Sequence, residues 1–552
     1  MDQHPVTNFP AQTARELAAQ ADLLSAFSQS LEEQHGQVTR IDTHASVIFL
    51  AGDRAYKVKR AVRYPFLDYA TLGKREIACK REFEINKAMS PVLYVGCAAL
   101  IKRQNGGVTL VPDTPPADIP ACEWAVVMHR FGDDQLLSTM AEQDFLSRTL
   151  VEETSRLVAT THAAAQPVAA NERHGGGCRR FNEMVSETIT ALTRQHDPDT
   201  IMQLTRIATI MAAQITGFAP RLDDRLADNL VRHCHGDLHL ANICLFNNKP
   251  TLFDAVEFNP TISTIDCLYD TSFLWMDLIA RGHADLANNA MNTYLPYFDR
   301  YEDSGLIGLY MAARALIRAR VAYTRAMIID GSDAKQAARR DARHYLNLAE
   351  QCLAQAQPSL IVVGGLSGSG KTTLARNIAP HIGGVAGAIH IRSDVVRKRL
   401  HNIDPLTPLP PSAYTKESSV TVYQAMIEQA RAALKAGMPV IMDAVYAHDD
   451  ERQAVARLAV ECGVPFSGLW LSAPLQMRVN RVAERNNDAS DADVNIVRKQ
   501  DGTCIIPQDW HALHSAGDKT CIRNKAFHTL VADGHRVALD MDQRGECCTS
   551  VS

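Results

Sequence analysis

The run Gly365-Leu-Ser-Gly-Ser-Gly-Lys-Thr372 fits the pattern G-x-x-x-x-G-K-[ST] without a mismatch, and it constrains the fold more than any other stretch of the chain. Such a loop belongs between a buried strand and the start of a helix. Both are predicted here: Ser359-Leu-Ile-Val-Val363 is a short apolar strand, and Thr373 to Ala379 reads as helix. Glycines let successive backbone N–H groups point inward around a phosphate, and the helix N-terminus adds partial positive charge. Gly365, Leu366, Ser367, Gly368, Ser369, Gly370, Lys371 and Thr372 are therefore the expected ATP-binding loop. Lys371 would reach the β- and γ-phosphates and neutralise charge during transfer, and the Thr372 hydroxyl would ligate Mg2+.

Later residues extend that unit. Val440-Ile-Met-Asp443 is a second apolar strand, and its Asp443 suits the Mg2+ shell. Ile389-His-Ile-Arg-Ser-Asp394 is predicted as a third strand ending in an acid, the edge that faces the ligand crevice of a doubly wound sheet. Asp394 would orient or deprotonate an acceptor hydroxyl, or else cap a helix. Arg478, Arg481 and Arg485, the acidic stretch to Asp493 and then Arg498 read either as a basic lid over phosphates or as a solvated charged helix. With this loop, Ser393-Asp394…Arg397 and the lid-like arginines, residues 359–530 resemble the small-molecule-kinase branch of P-loop proteins. That branch includes gluconate kinase, adenylylsulfate kinase, chloramphenicol phosphotransferase and polynucleotide kinase. The resemblance implies phosphoryl transfer to a hydroxyl, with Arg485 among the ATP-binding residues, and names no acceptor.

A second constellation lies upstream. In His235-Gly-Asp-Leu-His-Leu-Ala-Asn242, Asp237 and Asn242 stand five residues apart, the Asp…Asn spacing of a kinase catalytic loop. The Asp can accept the proton of an attacking hydroxyl and the Asn can hold a metal ion. Leu252-Phe-Asp254 ends a short strand with a further acid. Ala55-Tyr-Lys-Val-Lys59 alternates, so Lys57 and Lys59 share one face and Tyr56 and Val58 the other. Thr71 to Met89 reads as a helix that turns Ala78, Glu82, Ile85 and Met89 inward. An ionised Glu82 on that face needs a cation. Lys57 is preferred to Lys59 as the lysine that contacts phosphate, because it lies nearer the middle of its strand.

Residues 40–345 resemble the aminoglycoside phosphotransferase and choline kinase family, which has the protein-kinase-like fold. The resemblance makes Asp237 the catalytic base, Asn242 and Asp254 the metal ligands, and Glu123 to Phe131 the hinge that receives adenine. Only Gly52 stands where protein kinases carry a glycine-rich loop, and Ala-Val-Glu follows Asp254; both are usual for this family. The order of the two halves resembles a bacterial group described as fused aminoglycoside-phosphotransferase-like and ATP-binding proteins. That likeness extends to Phe66-Leu-Asp-Tyr69, Phe253-Asp-Ala-Val-Glu-Phe258 and Asp488-Ala-Ser-Asp491.

At 552 residues the chain exceeds one ordinary domain. The expected divisions are a helical segment 1–39, a kinase-like domain 40–350, a P-loop domain 358–535 after the Gln357-Pro358 break, and a weakly ordered tail 536–552. The implied fold class is α/β and α+β: a two-lobed protein-kinase-like fold followed by a P-loop parallel-sheet kinase fold. A content of 46% hydrophobic and 22% charged residues excludes a disordered or collagen-like chain. The net charge of -5 argues against a broad nucleic-acid binder. No apolar run reaches membrane-spanning length, and the start MDQHPVTNFP does not read as a secretory signal. The 13 cysteines are scattered without a CxxC pair, as expected of reduced thiols in a cytoplasm. His233, His235 and His239 fit no usual zinc spacing. The expectation is a tandem kinase using ATP, Mg2+ and small hydroxyl acceptors. Its rivals are a nucleotide sensor with one inactive half and a nucleotide or nucleic-acid-end kinase in the P-loop half.

Overall fold

Strict alternation in residues 54–59 decides the first part of the architecture, because it sends the two faces of one strand into different environments. The computed structural model describes residues 11–538 apart from 65–66, 105, 113–114, 116–118, 168–175, 195–197, 330, 486–487 and 502–505. Phe66 of the Phe66–Tyr69 motif, Asn486, Asn487 and the tail beyond residue 538 therefore lie outside the described residues. Strands β1 Val38–Asp42, β2 Ser46–Ala51, β3 Arg54–Lys59, β4 Tyr94–Lys102, β5 Val108–Pro112 and β6 Glu123–His129 form an antiparallel sheet in the order β1-β2-β3-β6-β4-β5. Gly52-Asp53 makes the two-residue turn between β2 and β3, with φ +57° at Gly52.

The apolar face of β3 meets the N-terminal helix Ala11–His35, whose Leu23, Leu24, Phe27 and Leu31 pack on Val47, Phe49, Tyr56 and Val58. Phe27 makes edge-on ring contacts with Phe49 at 5.3 Å and Tyr56 at 5.9 Å. Gln20 of the same helix fixes the end of β3: its Nε2 donates to the Lys59 carbonyl at 2.8 Å and its Oε1 accepts from the Ala61 amide at 2.8 Å. The helical segment is thus part of the sheet's core.

The lysine face of β3 meets the helix Leu72–Met89, capped by the Thr71 side chain. The buried stripe of this helix is Arg75, Ala78, Cys79, Glu82 and Asn86, whereas Ile85 and Met89 are only half-buried. The sequence pattern placed those two inward. The helix instead turns its polar stripe to the sheet, because charges there need counter-charges. Arg75 Nε donates to both Glu123 carboxylate oxygens at 3.0 and 2.9 Å, and Gln20 adds a third donor to that carboxylate at 2.7 Å.

After β6 come the small antiparallel pairs β7 Val231–His233 with β10 Thr264–Asp266, and β8 Ile243–Phe246 with β9 Lys249–Leu252. The C-terminal part has a five-stranded parallel sheet: β11 Leu360–Gly364, β12 Ile389–Arg392, β13 Val440–Asp443, β14 Phe466–Ser472 and β15 His511–His514, in the order β12-β13-β11-β14-β15. Its core joins Ile361, Val363, Leu374, Ile378, Ile441, Leu469 and Phe527. The first part is thus built on an antiparallel sheet packed against helices, and the C-terminal part on a parallel sheet that carries the G-x-x-x-x-G-K-[ST] loop.

Packing divides the chain into two compact units that do not follow sequence order. One comprises Met1–Leu146, Ala164–Arg180 and Asp223–Asp270; the second comprises Ser147–Ala163, Phe181–Leu222 and Thr271–Ser552. Within the second unit, Asn288 Nδ2 donates to the carbonyls of Ala386 and Ala388 at 2.8 and 3.0 Å, and Asn292 Oδ1 accepts from the His390 amide at 2.7 Å. These bonds tie the helix Ala284–Tyr294 to the edge strand β12. Among the described residues no helix is long and apolar enough to cross a membrane.

Phe27 is 1% exposed and central to the first core. Phe27→Ala should destabilise the first unit by about 3–5 kcal/mol, seen as an earlier transition in urea unfolding.

Candidate active sites

In the first unit, β3 and the helix Leu72–Met89 bring Lys57, Lys59 and Glu82 together. Glu82 has no exposed surface. Lys57 Nζ donates to Glu82 Oε1 at 2.8 Å and also pairs with Asp254. Lys59 pairs with Glu82 and with Glu257, and the Tyr69 hydroxyl donates to Glu257 at 2.6 Å. Both strand lysines therefore touch Glu82, and they differ in their second partner. Lys57 bridges to an acid whose side chain is 43% exposed, whereas Lys59 is closed between two buried carboxylates.

Burial alone would push both lysines down, but the carboxylates around them hold both above the ordinary lysine value: Asp254 and Glu82 for Lys57, Glu82 and Glu257 for Lys59. In return, burial would raise Asp254 and Glu257, and Lys57 and Lys59 respectively hold them low. Asp254 also feels the like charge of Asp237. Two carboxylates side by side, with an asparagine next to one of them, form a hard-oxygen set that fits Mg2+.

The backbone enforces this placement. Asp254 takes φ +60°, unusual for a non-glycine residue, and its amide donates to the Tyr94 hydroxyl at 3.0 Å. The next amide, Ala255, donates to Asn86 Oδ1 at 2.8 Å, so the helix that carries Glu82 also holds the Asp254 turn. In the loop 235–242, Asn242 Nδ2 donates to the Asp237 carbonyl at 2.9 Å and to Asp237 Oδ2 at 3.0 Å. His239 Nε2 lies 3.3 Å from the same oxygen.

Asp270, buried, accepts from the His235 and Gly236 amides at 3.0 Å each. Burial holds the His235 ring neutral, and its Nε2 donates to the Phe253 carbonyl at 2.8 Å. The sequence places Asp266 and Asp270 together on one helix face, but Asp266 ends β10 and forms a two-pronged pair with Arg225 at 2.6 and 2.7 Å. From sequence, Asp270 reads either as a hydrogen-bond partner of the loop 235–242 or as solvated, and the structure gives the first. Glu257, Tyr94 and Asn86 also complete this site, and no sequence signal assigned them a place in it.

In the second unit the loop runs from β11 into the helix Lys371–Ile378. Gly365, Gly368 and Gly370 take φ of +136°, +80° and +97°. A Cβ on Gly365 would stand 2.3 Å from the Leu471 carbonyl oxygen, and one on Gly368 would stand 2.6 Å from that of Arg478. The loop is a closed cradle of the kind that accepts a phosphate. Lys371 Nζ donates to the Leu366 carbonyl at 3.2 Å. Thr372 Oγ1 donates to Asp443 Oδ2 at 2.5 Å, a second hard-oxygen pair that fits Mg2+. Burial would raise Asp443, but His390, Lys371 and Arg392 bring it down to about 2.

Lys371 is lowered by burial and senses Asp443, Asp394, Arg485 and Arg392, so the residues singled out from sequence converge on it. β12 ends at Arg392, and Asp394 sits in the first turn of the helix Ser393–Leu400, not at a strand end. Burial holds its carboxyl above the ordinary value. β12 stops at Arg392 opposite Asp443, the last residue of its neighbour β13, and the helix starts at the next residue.

The three lid-like arginines divide. Arg478 pairs with Asp501, and Arg481 donates to the Ser369 carbonyl at 3.3 Å and the Ser515 carbonyl at 2.6 Å, so both are bound to the protein. Arg485 Nη1 is buried without a hydrogen-bond partner. Asp491 of the Asp488–Asp491 motif holds Lys398 at 2.9 Å and the Leu409 amide at 2.9 Å.

Residues 360–504 match the family model described as AAA domain. An "uncharacterized protein" of Mycobacterium tuberculosis is 29% identical over 500 residues, 88% of this chain and 94% of its own. An adenylyl-sulfate kinase of Myxococcus xanthus is 31% identical over 117 residues, 21% of this chain and 59% of its own. A solved choline/ethanolamine kinase family protein from Mesorhizobium loti is 14% identical with a TM-score of 0.36, covering 60% of this chain and 99% of its own. The residues matched by the AAA domain model lie in the part built on the parallel sheet and carry the phosphate loop.

The two lysines separate in a stability measurement. Lys59→Met leaves two buried carboxylates short of a cation and should cost about 3–5 kcal/mol in urea unfolding. Lys57→Met should cost clearly less, because Lys59 still holds Glu82 and Asp254 has access to solvent.

Proposed function

We propose that the chain is an ATP-dependent tandem phosphotransferase, each half moving the γ-phosphoryl group of ATP to a hydroxyl of a small acceptor. The working halves are residues 40–350 and 358–535. One observation carries the reading: two separate clusters each combine a lysine with hard carboxylate oxygens, Lys57 with Asp254 and Lys371 with Asp443 through Thr372. Phosphoryl transfer demands mainly positioning and charge neutralisation, and both clusters supply them.

In the first half, Asp237 takes the proton of the acceptor hydroxyl while its oxygen bonds to the γ-phosphorus and the bond to the β,γ-bridging oxygen breaks, releasing ADP. Lys57, steadied by Glu82, contacts the ATP phosphates, and Asn242 and Asp254 are the metal ligands. In the second half, the amides of Gly365 to Gly370 hold the phosphates, Lys371 and Arg485 neutralise them, and Asp394 orients or deprotonates the acceptor. Thr372 and Asp443 hold the metal there. Mg2+ at either set would neutralise charge that builds on the phosphate oxygens.

The helices of the kinase-like half pack with the P-loop part, so the test uses the full chain. ADP formation is measured with water and with a panel of small hydroxyl compounds. Lys371→Ala should remove the P-loop contribution by a factor of about 10² or more, and Asp237→Asn should lower the other by about 10²–10⁴ with ATP affinity little changed. The double variant should be inactive. Undiminished ADP formation in the double variant would contradict the reading.

A further inference from the structure

One amide of the phosphate loop is taken by a side chain of the protein itself. The Ser367 N–H, in the middle of the run Gly365 to Gly370, donates to Gln500 Oε1 at 2.9 Å. Beside it, Lys371 Nζ is turned back onto the Leu366 carbonyl at 3.2 Å. The amides of such a loop serve to bind phosphate oxygens. A carboxamide oxygen carries partial negative charge and accepts the same bond. Gln500 thus offers Ser367 what a phosphate oxygen would offer it. Arg481 and Ser515 also hold the loop, but by the Ser369 carbonyl, at 3.3 and 2.5 Å, a group that no phosphate needs. Of these contacts, the one from Gln500 competes with a nucleotide.

Gln500 is held in place from two sides. It ends the helix Val494–Gln500, whose Val497 has no exposed surface and whose first turn is capped by Asp493, accepting from the Ile496 amide at 2.8 Å. The next residue, Asp501, pairs with Arg478 of the helix Leu475–Ala483. Arg478 is 3% exposed, and its backbone lies against the loop: a Cβ on Gly368 would stand 2.6 Å from the Arg478 carbonyl oxygen. The contacts therefore close a ring, from Ser367 to Gln500, to Asp501, to Arg478 and back to Gly368, the neighbour of Ser367. Two atoms on this ring and in the loop, Arg478 Nη1 and Ser369 Oγ, are buried without a hydrogen bond. Unpartnered buried polar groups are costly, so the ring does not fully satisfy the loop, and a polyphosphate brings acceptors that it lacks.

We propose that Gln500 and Asp501 form an autoinhibitory latch on the phosphate loop. The Gln500 carboxamide competes with the nucleotide for the Ser367 amide, Asp501 holds that side chain in place through Arg478, and an incoming nucleoside triphosphate displaces it. The apparent affinity for nucleotide is then lower than that of the unlatched loop, by the fraction of molecules in which the latch is open. The latch rests on the reading that this loop takes a nucleotide; it does not require phosphoryl transfer.

The test uses the full chain carrying Lys57→Met, so that the nucleotide of the P-loop half is measured alone, by calorimetry with AMP-PNP and Mg2+. Gln500→Ala should tighten binding about threefold to tenfold. Asp501→Asn, which keeps the shape and removes the charge, should tighten it in the same direction, by about twofold to fivefold. The double variant should match Gln500→Ala, because Asp501 acts through Gln500. A residue that only supported the fold, or that touched the bound nucleotide, would loosen binding when removed. Adding Lys371→Ala checks the site. Where Lys371→Ala abolishes binding while Gln500→Ala weakens it or leaves it unchanged, the loop keeps its nucleotide and the latch is overturned. An Asp501→Asn effect that persists at full size beside Gln500→Ala also overturns it. Where no binding occurs, or binding is indifferent to Lys371→Ala, the nucleotide reading of this loop fails and the latch falls with it.

Discussion

A carboxylate with no exposed surface, Glu82, is held between Lys57 and Lys59, and the first unit is organised around that contact. A buried charge is tolerable only when paired, so one helix residue dictates two strand residues. Each lysine then recruits a second acid, Asp254 or Glu257, from the segment that follows the loop 235–242. The same helix pins the Asp254 turn through Asn86. The opposite face of β3 is free to be apolar and is sealed by the N-terminal helix. One short strand with strict alternation thus serves a hydrophobic core on one side and a charge network on the other.

The P-loop part solves a related problem with backbone. Its glycines adopt left-handed conformations and pass within contact of Leu471 and Arg478, which closes the loop around a phosphate-sized space. Tyr446 also takes a left-handed φ of +51°, in the turn after Asp443, and the neighbouring Val445 carbonyl accepts from the Gly365 amide at 3.2 Å. Strain of this kind persists where surrounding packing over-determines it, and Tyr446 is fully buried. Asn288 and Asn292 of the kinase-like half hold the edge strand that bears His390 and Arg392. A change in that helix therefore reaches the P-loop half through four hydrogen bonds to the backbone of residues 386, 388 and 390.

Much of this was legible in the sequence because local patterns carried it. The glycine loop, the Asp237…Asn242 spacing and the alternation at 55–59 each specify a local geometry that packing did not override. The preference between Lys57 and Lys59 rested on strand position alone, and in the structure both lysines reach Glu82. Periodicity misjudged Ile85 and Met89, since an apolar count cannot foresee a helix face built from Arg75, Glu82 and Asn86. Asp394 was placed on a strand because Ile389 and Ile391 are apolar in alternation, whereas the strand ends where its neighbour β13 ends, at Asp443 opposite Arg392. The interleaving of the two units depends on side chains such as Asn288 that no local window connects with residue 388.

The central claim is that one chain holds two separate nucleotide sites, each built on its own lysine and acids. Equilibrium binding of AMP-PNP with Mg2+ to the full-length protein tests it most directly, with the stoichiometry as the readout. The account predicts two nucleotides per chain, falling to one in Lys371→Ala and to one in Lys57→Met, with each variant leaving the affinity of the remaining site unchanged within about twofold. A single nucleotide per chain in the unaltered protein, or one substitution abolishing both binding events, would contradict it.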